Sequence, residues 1–263
     1  MSEVKGVLLC GGLGTRLQPL THGTSKHILN VYDKPMFYYS LSQLLLAEII
    51  DIAIVSQKEH LFSYKKYFGD GSSLGVNLQY IEQAVPDGIP DAISRVGDLF
   101  KGCPLFVVLG DNFLYGPNLS DKLKYNSASN KAQIYSYLVN DPSQYGVIEY
   151  DKKGECVNIT EKPKNPKSNW VSIGSYFFPS DVIKMISKLE KSVKNEYQVV
   201  DLINKYLIED RVSTVKLGRG YVWFDLGTHE KLFEASNFIR SVQLGQGYNI
   251  SSPIEIATVK KFV

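Results

Sequence analysis

The apolar positions of this chain fall into short continuous runs separated by longer amphipathic stretches. Val7-Leu8-Leu9-Cys10, Ile52-Ala53-Ile54-Val55 and Leu105–Leu109 are unbroken apolar runs, the pattern of strands buried on both faces. Val76–Ile81 reads as a further strand. Helical periodicity lies between them. Met36–Glu48 places Phe37, Leu41, Leu44 and Leu45 on one face. A second helix is predicted near His60–Tyr67, ahead of the turn residues Asp70-Gly71, and a third over Pro90–Leu99, opening on proline. Alternation of this kind predicts βαβ units and a mostly parallel sheet. The second half changes rhythm. Gln133–Val139, Val147–Tyr150, Val157–Thr160 and Ser172–Phe178 read as strands with shorter links, and helices are predicted near Asp181–Leu189, Val199–Glu209 and Glu230–Arg240. No repeat, linker or low-complexity tract interrupts the chain, so a single domain over residues 1–263 is expected.

Composition narrows the possibilities without choosing among them. The chain has 263 residues and a formal net charge of +2, which gives no electrostatic case for a nucleic-acid or membrane-surface partner. Its three cysteines, Cys10, Cys103 and Cys156, are far apart; neither a disulfide framework nor a cysteine zinc site fits that spacing. The first residues run straight into an apolar strand without the apolar core of a secretion signal. The expectation is a cytoplasmic protein.

In open parallel sheets ligands bind beyond the carboxyl ends of the strands, and the chemically informative residues follow the apolar runs. After the first comes Gly11-Gly12-Leu13-Gly14-Thr15-Arg16-Leu17. Glycines let backbone N–H groups approach phosphates closely. The segment is neither a dinucleotide fingerprint, which needs glycine where Leu17 stands, nor a Walker A loop, which needs Lys after its last glycine. What remains is a glycine turn carrying a permanent cation, Arg16, followed by Ser25-Lys26-His27 with a second cation. On their own these residues fit a phosphate site or a tight turn with solvated charges. Asp111 follows the run Leu105–Leu109, and Asp225 follows Val222-Trp223-Phe224. Two carboxylates from distant positions suit magnesium, which takes few protein carboxylates and completes its octahedron with phosphate and water; each could equally cap a strand end.

The segments Gly11–Leu17, Ser25-Lys26 and Val31–Met36 together resemble the signature of the glucose-1-phosphate thymidylyltransferases, within the wider sugar-nucleotidyltransferase family. The resemblance continues through Phe68–Gly71, Pro86-Asp87-Gly88, Leu109–Asn112, Tyr145-Gly146-Val147, Glu161-Lys162-Pro163, Pro166–Asn169 and Asp225–His229. It spans nearly the whole chain in order. It implies a Rossmann-like three-layer α/β/α nucleotidyltransferase fold with a mostly parallel central sheet and a smaller antiparallel sugar-binding portion. Residues of about 1–130 would form the nucleotide-binding half, about 131–240 the sugar-phosphate half, and 241–263 a C-terminal extension.

The same resemblance implies roles. Gly11, Gly12, Gly14, Thr15, Arg16, Gln83, Gly88 and Asp111 would bind the nucleoside triphosphate. Gly146, Glu161, Lys162, Lys194 and Glu196 would bind the sugar 1-phosphate, and Asp111 with Asp225 would hold Mg2+. Arg16, Lys26 and Lys162 would carry the catalytic charges. The chemistry of each type agrees: carboxylates accept from sugar hydroxyls, and ammonium groups neutralise phosphate. A homo-oligomer, dimer or tetramer, is implied. Two rival functions stay open, a glycosyltransferase on a similar sheet and a non-catalytic nucleotide-sugar-binding paralogue.

Several positions depart from the family pattern. His27 stands where glutamine is common, Asn30 for a usual proline, and Pro90-Asp91 for Ala-Gln. Ser172-Ile173 replaces Val-Thr, and Asn195–Asp201 differs from the usual Gly-Glu-Leu-Glu-Ile-Thr-Asp. Asp91 would set a negative charge near the nucleotide side, and the last two changes point to a modified hexose. The chain stops at Val263, where many members continue, which puts the family's feedback inhibition and tetramer in doubt.

Overall fold

The computed structural model describes residues 3–192 and 195–263. Along the chain come β1 (Lys5–Leu9), the two-residue strands β2 (Asn30–Val31) and β3 (Lys34–Pro35), α1 (Met36–Leu46), β4 (Asp51–Ser56), α2 (Lys58–Phe68) and β5 (Asn77–Glu82). They are followed by α3 (Ile89–Ser94), β6 (Leu105–Leu109), β7 (Asn112–Tyr115), α4 (Leu119–Lys122), β8 (Ala132–Leu138), β9 (Gly146–Tyr150), β10 (Cys156–Glu161) and β11 (Trp170–Phe178). The last elements are α5 (Val182–Ile186), α6 (Val199–Ile208), β12 (Val212–Leu217), β13 (Val222–Asp225), α7 (His229–Gln246) and α8 (Pro253–Val259). Among the described residues no helix is long and apolar enough to cross a membrane.

The residues cluster into two compact units, each assembled from three stretches of chain. The β1 unit comprises Gly6–Pro86, Val108–Lys124 and Val222–Val263; the β11 unit comprises Met1–Lys5, Asp87–Val107 and Tyr125–Tyr221. Strand β6 gives its first residues to the latter and its last to the former.

In the β1 unit, β4 pairs in parallel with β1 (Gly6↔Ile52 through Leu9↔Val55) and with β5 (Asp51↔Asn77 through Ser56↔Glu82). The ladder continues one residue past the strands, with Cys10 N–H donating to Val55 O and Gln83 N–H to Ser56 O, both at 2.8 Å. These bonds carry the glycine turn and Gln83 to the same, carboxyl-terminal end of the ladder. A short antiparallel ribbon of β7 and β13 belongs to the same unit. One hydrophobic cluster, including Leu17, Met36, Tyr39, Phe113, Leu226 and Ile239, underlies the ribbon and the turn that follows β1.

The β11 unit is mostly antiparallel. Strand β9 pairs with β10 and β11, β8 pairs with β11, and only β12 runs parallel to its partner β8. Helices α3, α5 and α6 pack on one another. The mixed α/β architecture expected from the sequence is therefore the one adopted. Two helices are shorter than their periodicity suggests. The stretch predicted over Pro90–Leu99 leaves α-geometry after Ser94, because Val96 and Gly97 bond carbonyls three residues back. The stretch over Asp181–Leu189 ends at Ile186 in the same way, with Lys188 and Leu189 bonding Met185 and Ile186.

Candidate active site

The glycine turn after β1 is open on one side and packed on the other. Nothing stands within 4 Å of where a side chain on Gly12 would begin. Gly14, at φ 59, leads into a single 3-10 turn, Thr15–Leu17, a conformation that costs glycine nothing. Thr21 Oγ1 donates to Gly14 O at 2.9 Å, and a Cβ on Gly14 would lie 3.1 Å from Lys26 Cβ. The segments bearing Arg16 and Lys26 thus pack together. Leu17 is fully buried while Thr15 and Arg16 are exposed, so the core holds the turn and solvent receives its charge. The Arg16 guanidinium lies against Gly227, where a Cβ would stand 2.8 Å from Nη2. On the far side of the turn the Gln83 side-chain oxygen approaches Gly11.

Lys26 sits on a second 3-10 turn, Lys26–Ile28, whose N-cap is Ser25. Its Nζ lies 2.5 Å from Asp111 Oδ2. The other Asp111 oxygen accepts from Asn112 Nδ2 at 3.2 Å. Asn112 is itself fixed: its Oδ1 accepts from Trp223 Nε1 at 2.6 Å, and its carbonyl accepts from Ser40 Oγ and Gln43 Nε2, both at 3.0 Å. Burial by itself would raise the Asp111 carboxyl, but the Lys26 charge and hydrogen bond outweigh it and hold the group well below the usual carboxylate range. Asp111 is accordingly ionised and already paired.

Behind this pair lies a buried polar network. His27 Nδ1 is 3.1 Å from Ser25 Oγ and 3.4 Å from Tyr64 Oη, and these two hydroxyls are 2.7 Å apart. Ser56 Oγ donates to the Cys10 carbonyl at 2.8 Å. Burial, reinforced by the Lys26 charge, pushes the His27 imidazole down to about 3, so it is neutral. Burial pushes the Cys10 thiol up, which leaves it an inert packing group. A Cβ on Gly110 would fall 2.7 Å from the His27 ring and 2.8 Å from Cys10 Sγ; only glycine lets β6 deliver Asp111 past them.

The ribbon supplies the second carboxylate. Asp225 is the cross-strand partner of Asn112, and Leu226 N–H donates to Asp111 O at 2.8 Å. Asp225 therefore stands at the end of the ribbon that carries Asp111, with Lys231 Nζ 4.0 Å from its Oδ1. Two adjacent hard-oxygen groups beside a cationic, open glycine turn suit a magnesium ion that draws its remaining ligands from phosphate and water. Among the described residues no cluster of three or more His, Cys, Asp or Glu side chains forms a complete metal cage.

The predicted sugar-side residues lie in the β11 unit. Gly146 opens β9 opposite Glu161 at the end of β10. A Cβ on Gly146 would meet Val200 Cγ2 at 3.1 Å and Glu161 Oε2 at 3.5 Å. Lys162 turns outward at φ 43, its N–H donating to Tyr145 O at 2.9 Å and its Nζ lying 3.4 Å from Glu161 Oε1. Gly88 forms an isolated bridge with Tyr197, whose carbonyl oxygen would stand 2.0 Å from any Cβ there. That approach, together with φ 99, is a backbone reason for this glycine. Glu196 immediately precedes the bridge, its carbonyl accepting from Ser192 N–H at 2.9 Å. Lys194 lies outside the described residues. Asp91, a departure from the family pattern, is buried and pairs with Arg95 at 2.7 Å one turn later.

The structure thus gathers Gly11, Gly12, Gly14, Thr15, Arg16, Lys26, Gln83, Asp111 and Asp225 into one unit, and Gly88, Gly146, Glu161, Lys162 and Glu196 into the other. Sequence reasoning overlooked the residues that hold these side chains. In the sequence Asn112 is only a neighbour of Asp111, and Trp223 only part of the apolar run that ends at Asp225. Gly227 was one letter of a motif, with no sign that it seats Arg16. Two polar residues beside an aspartate, Asn112 and a cross-strand Trp223, were the available signal.

A family model described as nucleotidyl transferase matches residues 5–242. A glucose-1-phosphate thymidylyltransferase of Xanthomonas campestris is 43% identical over 258 residues, covering 98% of this chain and 88% of the relative. One from Mycolicibacterium smegmatis is 40% identical over 260 residues, covering 99% and 90%. Among solved structures, a Bacillus anthracis protein assigned as a glucose-1-phosphate thymidylyltransferase, in complex with a sucrose, superimposes with a TM-score of 0.84 at 30% identity, covering 96% of this chain and 99% of that one. The chain belongs to the nucleotidyl transferase family, among its sugar-1-phosphate nucleotidyltransferases.

Proposed function

We propose that the chain transfers a nucleotidyl group from a nucleoside triphosphate, dTTP first and UTP next, to glucose 1-phosphate or a modified hexose 1-phosphate. The observation that carries this reading is the Lys26–Asp111 pair, set beside an open glycine turn bearing Arg16 and beside the cross-strand Asp225. The relatives' names, glucose-1-phosphate thymidylyltransferase, support trying a thymidine nucleotide and glucose 1-phosphate first.

An oxygen of the sugar 1-phosphate attacks the α-phosphorus, the bond from that phosphorus to the β-bridging oxygen breaks, and pyrophosphate leaves. Such transfers are catalysed by positioning and electrostatics. Backbone N–H groups of Gly11, Gly12, Gly14 and Thr15 cradle the triphosphate. Arg16 and Lys26 offset its charge as it grows. Gln83 and Gly88 bound the base. Glu161 and Glu196 accept from sugar hydroxyls, Gly146 lets the sugar approach the backbone, and Lys162 with Lys194 holds the sugar phosphate. No general base is required, because the attacking phosphate is ionised at neutral pH. Asp111 and Asp225 would hold Mg2+, which when bound supplies Lewis-acid stabilisation at the α-phosphate.

The functional division we adopt is a nucleotide-binding half and a sugar-binding half in one cytoplasmic homo-oligomer, a dimer or tetramer. Exposed apolar side chains along α7 and α8, among them Phe233, Leu244, Ile254 and Val259, support self-association. The test is pyrophosphate release with magnesium, across five nucleoside triphosphates and a panel of hexose 1-phosphates. Release that requires both substrates is expected, and Asp111→Asn and Asp225→Asn should each abolish most of it. Full rate in both variants at limiting magnesium sinks the assignment of the metal.

A further inference from the structure

One member of the polar network behind the Lys26–Asp111 pair stands apart from the charged groups. Tyr64 comes from α2 and is fully buried. Its ring packs edge-on against Phe37 of α1, with 5.3 Å between centroids. Three polar groups meet its hydroxyl. Ser25 Oγ lies at 2.7 Å, His27 Nδ1 lies at 3.4 Å, and the Cys10 carbonyl accepts from it at 3.4 Å. Each belongs to a segment beside a candidate phosphate or metal group. Ser25 caps the 3-10 turn Lys26–Ile28. His27 follows Lys26, and its ring covers Gly110, the residue before Asp111, where a Cβ would fall 2.7 Å from it. Cys10 immediately precedes the glycine turn. One buried oxygen thus ties helix α2 to all three segments. The turn that bears Lys26 has few fixings of its own. It is three residues long, closed by Ile28 N–H to Ser25 O and Leu29 N–H to Lys26 O, both at 3.1 Å. Turns of this kind have poorer hydrogen-bond geometry than an α-helix, so side-chain anchors decide where the turn sits. A paired, buried polar network is such an anchor, because it rigidifies its members.

We propose that Tyr64 is a positioning residue for the transfer. Through Ser25 and His27 its hydroxyl fixes the short turn from which Lys26 reaches the triphosphate. Tyr64 itself touches neither substrate nor metal. The departure from the family pattern at His27 gains a role by the same geometry: the imidazole is a buried strut of the turn. This rests on the reading of Lys26 as a cation that offsets charge on the triphosphate.

The experiment is a double-mutant cycle over the wild type, Tyr64→Phe, Lys26→Gln and the double variant. It measures kcat and KM by pyrophosphate release with magnesium, using the nucleoside triphosphate and hexose 1-phosphate that the wild type turns over fastest, with melting curves for all four proteins. Tyr64→Phe removes one oxygen and keeps the ring. It should lower kcat about tenfold and leave KM for the sugar phosphate within about twofold, because a misaimed cation costs rate more than sugar binding. In the Lys26→Gln background the same change should alter kcat by less than about twofold, since residues that act through one group are not additive. A hydroxyl that serves the fold alone gives no such cancellation; general loosening slows both backgrounds alike. If Tyr64→Phe fails to fold, Ser25→Ala breaks the same chain one bond nearer Lys26 and takes its place in the cycle, with the same cancellation expected. A kcat for Tyr64→Phe within about twofold of the wild type overturns the inference, however early the variant melts. So does an equal loss in both backgrounds, or a loss confined to KM for the sugar phosphate. Absence of wild-type release with every pair, or an undiminished rate in Lys26→Gln, overturns the underlying reading of Lys26 and is distinct from a Lys26-dependent rate that Tyr64 does not tune.

Discussion

Lys26 Nζ and Asp111 Oδ2 meet at 2.5 Å across 85 positions of sequence, and in the reaction we propose each partner is a group needed elsewhere. A triphosphate offers Lys26 oxygens of higher charge, and a divalent cation offers Asp111 a stronger partner than an ammonium. Asp111→Asn and Lys26→Gln should each lower kcat by roughly 10²–10³, the usual loss for one preorganised electrostatic group. The double variant should lose much less than the product of the two, since the residues act as a unit. Pyrophosphate release across the four-protein cycle measures this, and strict additivity would count against the coupling.

His27 predicts an acid-labile fold. Its imidazole is buried and neutral, titrating at about 3 rather than near the ordinary value of 6.5. Between those values the unfolded chain binds a proton that the folded chain refuses, so stability falls as pH falls. The limiting slope is about 1.4 kcal/mol per pH unit. Asp111, depressed by Lys26, begins to lose its own contribution only once the pH falls into the ordinary carboxylate range, so between pH 7 and pH 5 the loss belongs chiefly to His27. Urea unfolding at pH 7 and pH 5 should show the loss, and His27→Gln should flatten it.

Gly227→Ala should separate activity from stability. The added methyl would meet the end of the flexible Arg16 side chain, 2.8 Å away, and the guanidinium can swing aside. Unfolding free energy should change by less than about 1 kcal/mol. Transferase kcat/KM should fall by roughly tenfold or more, because a misplaced phosphate clamp forfeits orientation. Equal losses in both assays would show that Gly227 serves the fold instead.

Leu226→Ala should do both kinds of damage. Leu226 is fully buried in the cluster with Leu17 and Phe113, so truncation should cost about 2–5 kcal/mol. It also loosens the residue next to Asp225, and the magnesium concentration for half-maximal rate should rise. Denaturant melts and a magnesium titration of the surviving folded protein give the two readings.

Strands β1, β4 and β6 were legible because Val7–Cys10, Ile52–Val55 and Leu105–Leu109 are continuous apolar runs, and doubly buried strands must be. The ribbon strand Asn112–Tyr115 was not legible, because four residues carry no period and the preceding Gly110-Asp111 reads as a terminus. Strand Val212–Leu217 was overlooked despite its β-branched Val212, Thr214 and Val215. Helix Pro253–Val259 was likewise overlooked, despite Ser252 as N-cap, proline at the first turn and Glu255 after it. For the site, motif order supplied Arg16, Lys26, Asp111 and Asp225 as candidates. It could not supply their pairing, since no local pattern says that Lys26 will meet Asp111, or that Trp223 will orient Asn112. Such contacts are properties of the register between β7 and β13, which only folding sets.

The interleaving of the two units has a temporal consequence. Neither is a contiguous stretch of chain, and the unit bearing the glycine turn takes its last segment from Val222–Val263. A ribosome making this protein exposes Arg16 and Lys26 long before Asp225. Until Val222–Val263 is made, the glycine turn lacks the ribbon partner and the Leu226, Ala235 and Ile239 side chains that bury its underside. The nascent chain thus cannot assemble the cluster we assign to phosphate before that segment emerges, and products stalled or clipped ahead of it should be inert rather than half active.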